Sequence, residues 1–380
     1  MEPEKIVEQL SMFPHRAVAS GNETKTLDFL SGLFENQQVE RERFRTPKNY
    51  IVIVLWLISG LVAGLLLLHA VPVAGLFLVI IFATMALLYF NWYASPVTNF
   101  PPLKDSYNLV VKKESRPGKK KLLLMAHWDT APISILYTPK MVGNFRSSLK
   151  ITLILMVMAE FTAVFHYFMP NKITMFALWA QALYFGIQAV VATVDFFRFG
   201  YSNGASDNAT GVAAAIQTAR NLWDKPLKNL NVELVLTGAE EVGMIGSKAY
   251  LKKHYKEFDK NTFLINFDTL GAGNLKIINK TGSWGDIVYT NKLVEIAEEI
   301  TAGKTGLEHV KTGAWHTADF DSVWFHRAGI PSVTLAALDA GGRMPNIHRP
   351  TDILDHVDFR PMNDAILLAT LMGEKLNKNE

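Results

Sequence analysis

The sequence predicts an α/β fold: a mostly parallel mixed sheet flanked by helices and interrupted by two inserted transmembrane helical hairpins. Three observations predict it. Four apolar stretches of bilayer-spanning length occur in two close pairs. Once these are set aside, short apolar runs alternate with helical patterns, as expected for strands buried on both faces of a sheet. Apolar residues make up 49% of the 380 residues, and the mean hydropathy of +0.14 lies between that of a soluble enzyme and that of a chain wholly inside a membrane.

The composition also removes function classes. Lysine and arginine total 38 against 35 acidic residues, and a net charge of +3 offers no broad field for gripping nucleic acid. There is no cysteine, so any metal must sit on histidine and carboxylate.

Residues 1–38 are polar and charged and lack the apolar core of a signal peptide. Ser20-Gly-Asn-Glu23 reads as a capping box, and Leu27, Leu30, Leu33 and Phe34 follow at helical spacing, so an amphipathic helix opens the chain.

The candidate spans are residues 51–68, 73–90, 151–169 and 173–194, and uninterrupted apolar runs of this length are rare in soluble cores. The links His69-Ala-Val-Pro72 and Pro170-Asn-Lys172 are short enough to make each pair a tight hairpin. Hairpins return the chain to its starting side. Residues 1–49, 93–150 and 195–380 are therefore expected to form one domain on one face of the membrane, with hairpins at 50–92 and 151–194. Arg41, Arg43, Arg45, Lys48, Arg146, Lys150 and Arg198 flank the spans on that face, against Lys172 alone on the other, which predicts a cytoplasmic domain. Within the third span Glu160 is expected to face protein, with Gln181 and Gln188 as hydrogen-bond partners. Gly60 and Gly64 mark close packing within the first hairpin.

In the remainder, strands are expected at 108–112, 122–126, 232–237, 263–267 and 332–336, with helices at 208–222, N-capped by Asp207, and at 290–300. Polar residues gather just beyond the carboxyl ends of these strands, where open α/β sheets bind ligands. His127 and Asp129 follow the second strand, Glu240 and Glu241 the third, Asp268 the fourth, and His348 lies in a loop after the fifth. Singly, each has an ordinary reading as a cap, a solvated turn or a loop residue. Successive strand ends delivering nitrogen and oxygen donors suit a pair of zinc ions, each with one imidazole and one carboxylate, a carboxylate between them and a position kept for water. Asp129 would accept the other ring proton of His127, and one glutamate of the adjacent pair is left over as a base.

With these residues assembled, the soluble part resembles the two-zinc aminopeptidases of metallopeptidase clan MH, whose relatives include glutamate carboxypeptidase, glutaminyl cyclase and the transferrin receptor ectodomain. The likeness rests on His127-Trp-Asp129, Gly204-Ala-Ser-Asp207-Asn208-Ala-Thr-Gly211-Val212, Glu240-Glu241-Val-Gly243, Asn266-Phe-Asp268, Ala328-Gly-Ile-Pro331 and Asn346-Ile-His348-Arg-Pro-Thr-Asp352. It covers nearly all of the soluble part. The resemblance implies a zinc aminopeptidase-like fold, a peptide substrate and two Zn2+ ions, with His127 and Asp268 on one, Glu241 and His348 on the other, and Asp207 bridging. It makes Glu240 the general base and Asp129 the residue that orients His127.

Two departures stand out. The hairpins are insertions, one before the His127 strand and one between His127 and Asp207, and they bring the lipid bilayer beside the cleft. Relatives often carry an oxyanion-steadying tyrosine shortly before the stretch matching Phe320-Asp321-Ser322. Here the sequence reads Ala314-Trp315-His316-Thr317, which makes His316 the candidate, against its reading as a surface histidine. The activity implied first is an aminopeptidase removing N-terminal residues. The alternatives are an amidase acting on lipid-linked or membrane-derived substrates, a glutaminyl cyclase-like acyltransferase, whose relatives hold one zinc, and a receptor-like member without metal, against which the intact five-residue set stands.

Overall fold

The computed structural model describes residues 1–34, 37–113, 120–303 and 306–378. Among these, helices α1 (Pro3–Ser11) and α2 (Gly21–Gly32) precede β1 (Gln38–Thr46), and α3 (Tyr50–Leu67) and α4 (Pro72–Phe90) form the first hairpin. Strands β2 (Lys104–Lys112) and β3 (Lys120–His127) lead to the second hairpin, α5 (Phe145–Phe168) and α6 (Lys172–Phe199). Then come α7 (Gly211–Trp223), β4 (Leu230–Thr237), α8 (Ile245–His254), β5 (Thr262–Asp268), β6 (Asn274–Thr281), β7 (Ile287–Val288) and α9 (Lys292–Ala302). The chain closes with β8 (Lys311–Ala314), α10 (Ser322–Arg327), β9 (Ser332–Leu338) and α11 (Arg360–Lys378).

The strands make one sheet in the order β1-β2-β4-β3-β5-β9-β6-β7, with β8 beside β6. Its centre, β4-β3-β5-β9, is parallel, and antiparallel pairs flank it. The predicted α/β class holds because the apolar runs are buried on both faces. In β3, Leu122, Leu124 and Ala126 enter one core with α1, α2, α7, α9 and α11, while Leu123 and Met125 enter another with Tyr250 of α8 and Phe325 of α10.

Three local readings change. β1 carries Glu40, Arg41, Glu42, Arg43 and Arg45, and most of its side chains are at least partly exposed, so no apolar alternation announces it. It is an edge strand, where charges discourage pairing with other chains. Arg41 and Arg43, counted as membrane flank, lie on this strand in ion pairs with Asp28 and Asp105. The Ser20 hydroxyl accepts from Glu23 N as expected, but the Glu23 carboxylate reaches past the cap to Ala19 N at 2.5 Å and to the Ser106 hydroxyl at 2.7 Å. The predicted box is therefore half local and half tertiary.

The four apolar helices are each long enough to cross a bilayer. α3 packs on α4 and α6, and α5 packs on α4 and α6. Phe77, Phe161, Ile173, Phe176 and Phe197 stand largely bare on the outer faces, as lipid-facing side chains would. A Cβ on Gly64 would lie 2.8 Å from Val79 N, and one on Gly60 would land 2.3 Å from the Phe82 ring, so both glycines serve close packing within the first hairpin. Glu160 faces protein but not the expected partners. It accepts from Thr84 of α4 at 3.4 Å, whereas Gln181 reaches Thr162 and Gln188 reaches Thr152 and Tyr184. Both amide nitrogens donate to hydroxyls nearer to them on α5 and α6, while Gln181 Oε1 is buried without a partner among the described residues.

Candidate metal centre

Parallel strands carry the donors to one edge. His127 is the last residue of β3 and pairs in register with Thr237, the last of β4, while Asp268 ends β5 on the other side of β3. Glu240 and Glu241 follow β4 in a turn with Ala239, Gly243 and Met244 at positive φ.

Asp207 comes from a segment with its own logic. The expected N-cap is absent: Asp207 (φ −110°, ψ 88°) and Asn208 (φ −137°, ψ 42°) are not helical, and α7 begins only at Gly211. The side chains of Ser206, Asn208 and Thr210 instead bind the chain just after β5. Gly271 N donates to Ser206 Oγ, Thr269 N to Asn208 Oδ1 and Leu270 N to Thr210 Oγ1, while Asn208 Nδ2 donates to Phe267 O. A Cβ on Gly211 would lie 2.1 Å from Asn208 Oδ1, which explains the glycine there. Asp352 accepts the backbone N–H groups of Ser206 and Asp207 at 2.6 and 3.1 Å. Asp207 itself is thereby turned toward the imidazoles.

The two oxygens of Asp207 divide between two groups. Oδ1 lies 3.3 Å from His127 Nε2, which is 3.6 Å from Asp268 Oδ2. Oδ2 lies 3.3 Å from His348 Nε2, which is 3.0 Å from Glu241 Oε2. Each group, His127–Asp207–Asp268 and Asp207–Glu241–His348, has its donor atoms within 4.8 Å of one another. Glu240 Oε2 lies 4.0 Å from His127 Nε2, on the same side.

Asp129 is buried beside His127, the residue it was expected to orient, but most of its carboxylate bonding goes elsewhere. Its carboxylate accepts Glu240 N at 3.0 Å and Glu241 N at 3.2 Å, and lies 3.6 Å from His127 Nδ1, whose nearer acceptor is the Asp129 carbonyl at 3.3 Å. It thus holds the glutamate turn by its carboxylate and the imidazole chiefly by its backbone. His316 donates from Nδ1 to Gly282 O at 3.1 Å and stands 3.9 Å from Asp286; among the described residues no hydrogen bond or ion pair joins it to the cluster.

The sequence reading does not single out several residues that build this site. Arg16 is fully buried and donates to the carbonyls of Trp128, Leu10, Asn203 and Gly204, tying the chain after His127 to the chain before Asp207. Burial lowers its guanidinium to about 10, against the raising influence of Asp352, Asp207 and Asp129. Tyr137 lays its ring 4.3 Å from that of His348. Asp321 is buried under β4, hydrogen-bonded by Thr237. Arg16 and Tyr137 sit in no pattern that a sequence exposes, and Asp321 lies in the Phe320-Asp321-Ser322 stretch with nothing there to mark its role.

Electrostatics favours a cation here. Burial raises Glu240 well above the usual range and Glu241 and Asp268 to about 7, opposed by the charge of His127 or His348 and reinforced by the neighbouring carboxylates. Burial also works to raise Asp207, but His127 and His348 on its two sides hold it well below the carboxylate range. Glu241 Oε1 is buried without a hydrogen-bond partner among the described residues. Two imidazoles and three carboxylates in two groups sharing Asp207 fit a pair of divalent ions of the borderline-soft kind.

Residues 188–370 match the model of Peptidase family M28. The match takes in Asp207, Glu240, Glu241, Asp268 and His348 and stops short of His127, which the fold brings to them across the second hairpin. Among curated proteins, the probable lipoprotein aminopeptidase LpqL of Mycobacterium tuberculosis is 29% identical over 41% of this chain and 36% of its own length. Aminopeptidase YwaD of Bacillus subtilis is 26% identical over 50% of this chain and 42% of its own. The chain thus spans well under half the length of these relatives. Of solved structures, Porphyromonas gingivalis glutaminyl cyclase superposes with a TM-score of 0.57 at 14% identity, covering 99% of this chain and 97% of that one. That likeness is one of fold.

Proposed function

We propose that this chain is a zinc-dependent metallopeptidase of the aminopeptidase type, membrane-bound through four spans, its site on the cytoplasmic face. The arrangement of Asp207 carries the reading: one carboxylate, held by Asp352 through its own backbone, presents each oxygen to a different imidazole–carboxylate pair. Two zinc ions would be held by His127 and Asp268, and by Glu241 and His348, with Asp207 common to both. Bound zinc would polarise a scissile carbonyl and acidify water near neutral pH.

The remaining work falls to the chain. Glu240 would accept a proton from the attacking water at Oε2 and return it to the leaving amine. Asp129 would keep that carboxylate in place by fixing the Glu240 and Glu241 backbone. Arg16 would hold the strand end of His127 against the Asp207 segment. The aminopeptidase names of LpqL and YwaD favour removal of N-terminal residues.

Protein purified in detergent should hold two zinc ions per chain, hydrolyse an aminoacyl amide, lose activity on chelation and regain it with zinc. One ion per chain, together with ring closure of an N-terminal glutamine in place of hydrolysis, would replace this reading with the acyltransferase.

A further inference from the structure

All four apolar helices end on the loops that carry the site. Tyr50, the first residue of α3, lies beside Ser134 and within reach of the charge of Glu241. Tyr89, the penultimate residue of α4, donates to Val242 O at 2.9 Å, and a Cβ on Gly243 would lie 3.0 Å from its ring. Phe145, the first residue of α5, packs 5.2 Å from the Tyr137 ring, which in turn lies on His348. Near the end of α6, Asp195 accepts Ile135 N at 2.7 Å. Ala239, Val242 and Ile245, on either side of the glutamates, belong to the same apolar cluster as α3, α4, α5 and α6.

These contacts fix the height of the site. Tyr50 precedes Ile51, where the apolar run starts, and one helical residue rises about 1.5 Å. With α3 and α4 spanning a bilayer as proposed, the glutamate turn would stand close to the edge of the hydrocarbon layer, since Tyr89 at the end of α4 reaches Val242 O. Residues 134–141, anchored to Asp195 and Phe145, expose Ile135 by 47%, Leu136 by 43% and Met141 by 43%, while Tyr137 between them turns inward onto His348. Apolar side chains grouped beside a cleft at this level lie where an interfacial loop enters the headgroup boundary.

Resting on the hydrolytic reading above, we infer that the site acts on peptides held in the same bilayer, with the amino terminus free at the surface and an apolar continuation in the adjoining leaflet. The rim of Ile135, Leu136 and Met141 would meet that continuation as it leaves the cleft. Confinement to the same layer raises the local concentration of such a peptide without any new contact, and the rim adds apolar area to the encounter.

The test uses the full chain in liposomes, with two peptides of identical N-terminal sequence, one free in solution and one carrying a C-terminal apolar spanning segment. Co-reconstituted anchored peptide should be cleaved faster than free peptide at equal total concentration, by roughly tenfold or more, and the advantage should vanish when the anchored peptide sits in separate vesicles. With Leu136→Glu and Met141→Glu together, the ratio of anchored to free rates should fall toward one. Equal rates for both peptides, or a ratio indifferent to these substitutions, would overturn the inference while leaving the hydrolase intact. If neither peptide is cleaved by zinc-loaded protein, the hydrolytic reading falls and this one with it.

Discussion

Glu240 and Glu241 are neighbours in sequence, equally buried in character and both held by Asp129, yet their carboxylates go to different places. Glu241 Oε2 reaches His348 at 3.0 Å, whereas Glu240 Oε2 stands 4.0 Å from His127. Side chains adjacent in an irregular turn diverge, so one donor and one free base is the outcome this turn supports. Glu240→Gln keeps the volume and removes the proton acceptor. Metal content should stay at two while turnover falls roughly 10²–10⁴-fold, the usual weight of a general base. Glu241→Gln should lower metal occupancy instead. Zinc stoichiometry and turnover measured on both variants decide the assignment, and the opposite pattern reverses the roles.

At the scale of the element, α2 shows how a local signal becomes a tertiary one. Glu23 is buried between α2 and β2, and burial raises its carboxyl to about 7, with hydrogen bonds from Ser106 and Ala19 opposing the rise. A carboxyl whose folded value lies above its unfolded one binds more protons when folded. Well below pH ~4.5 both states are protonated and the pKa shift carries no stability cost. As pH climbs from ~4.5 to ~7 the stability falls, by on the order of 3 kcal/mol once the group is fully ionised. Glu23→Gln, which can accept from Ala19 N and donate to Ser106, should flatten this dependence. Thermal midpoints of the detergent-purified protein at pH 5 and pH 8 should differ less in the variant than in the parent. An unchanged difference would mean that Glu23 titrates as if exposed.

At the scale of the whole molecule, two spanning hairpins with both ends on one side, as proposed, would leave the sheet, the donors and α11 on a common face. The proposed cytoplasmic placement of that face rests on its excess of lysine and arginine near the span ends. Arg41 and Arg43 belong to β1, and Arg146 pairs with Asp286 at 2.7 Å, but insertion reads charge before folding pairs it. A reporter that is active only in the cytoplasm, fused after Glu380, should be active. Activity of a reporter that works only across the membrane would reverse the orientation and leave the chemistry untouched.

Much of this architecture is legible along the chain because its causes are local. Apolar runs of spanning length, short links at His69–Pro72 and Pro170–Lys172, and strand runs such as Leu122–Ala126 are contiguous stretches whose burial needs no knowledge of partners. The candidate donors His127, Glu240, Glu241 and Asp268 could be picked out for the same reason: parallel strands place whatever follows them at one edge. What depends on residues far apart was not available. Arg16 reaches Trp128 and Gly204, and Tyr89 reaches Val242, each a lone residue until the fold closes, while Asp352 stands in the motif around His348 but its bond to Asp207 N is made only by the fold. Asp207 reads as a helix cap in one dimension, and only the bonds from Ser206, Asn208 and Thr210 to the chain after β5 turn it from the helix to the imidazoles. Period and composition thus determine which elements exist and which edge carries the chemistry, while long-range hydrogen bonds, which have no period, decide how each side chain is aimed and how close the apolar helices stand to it.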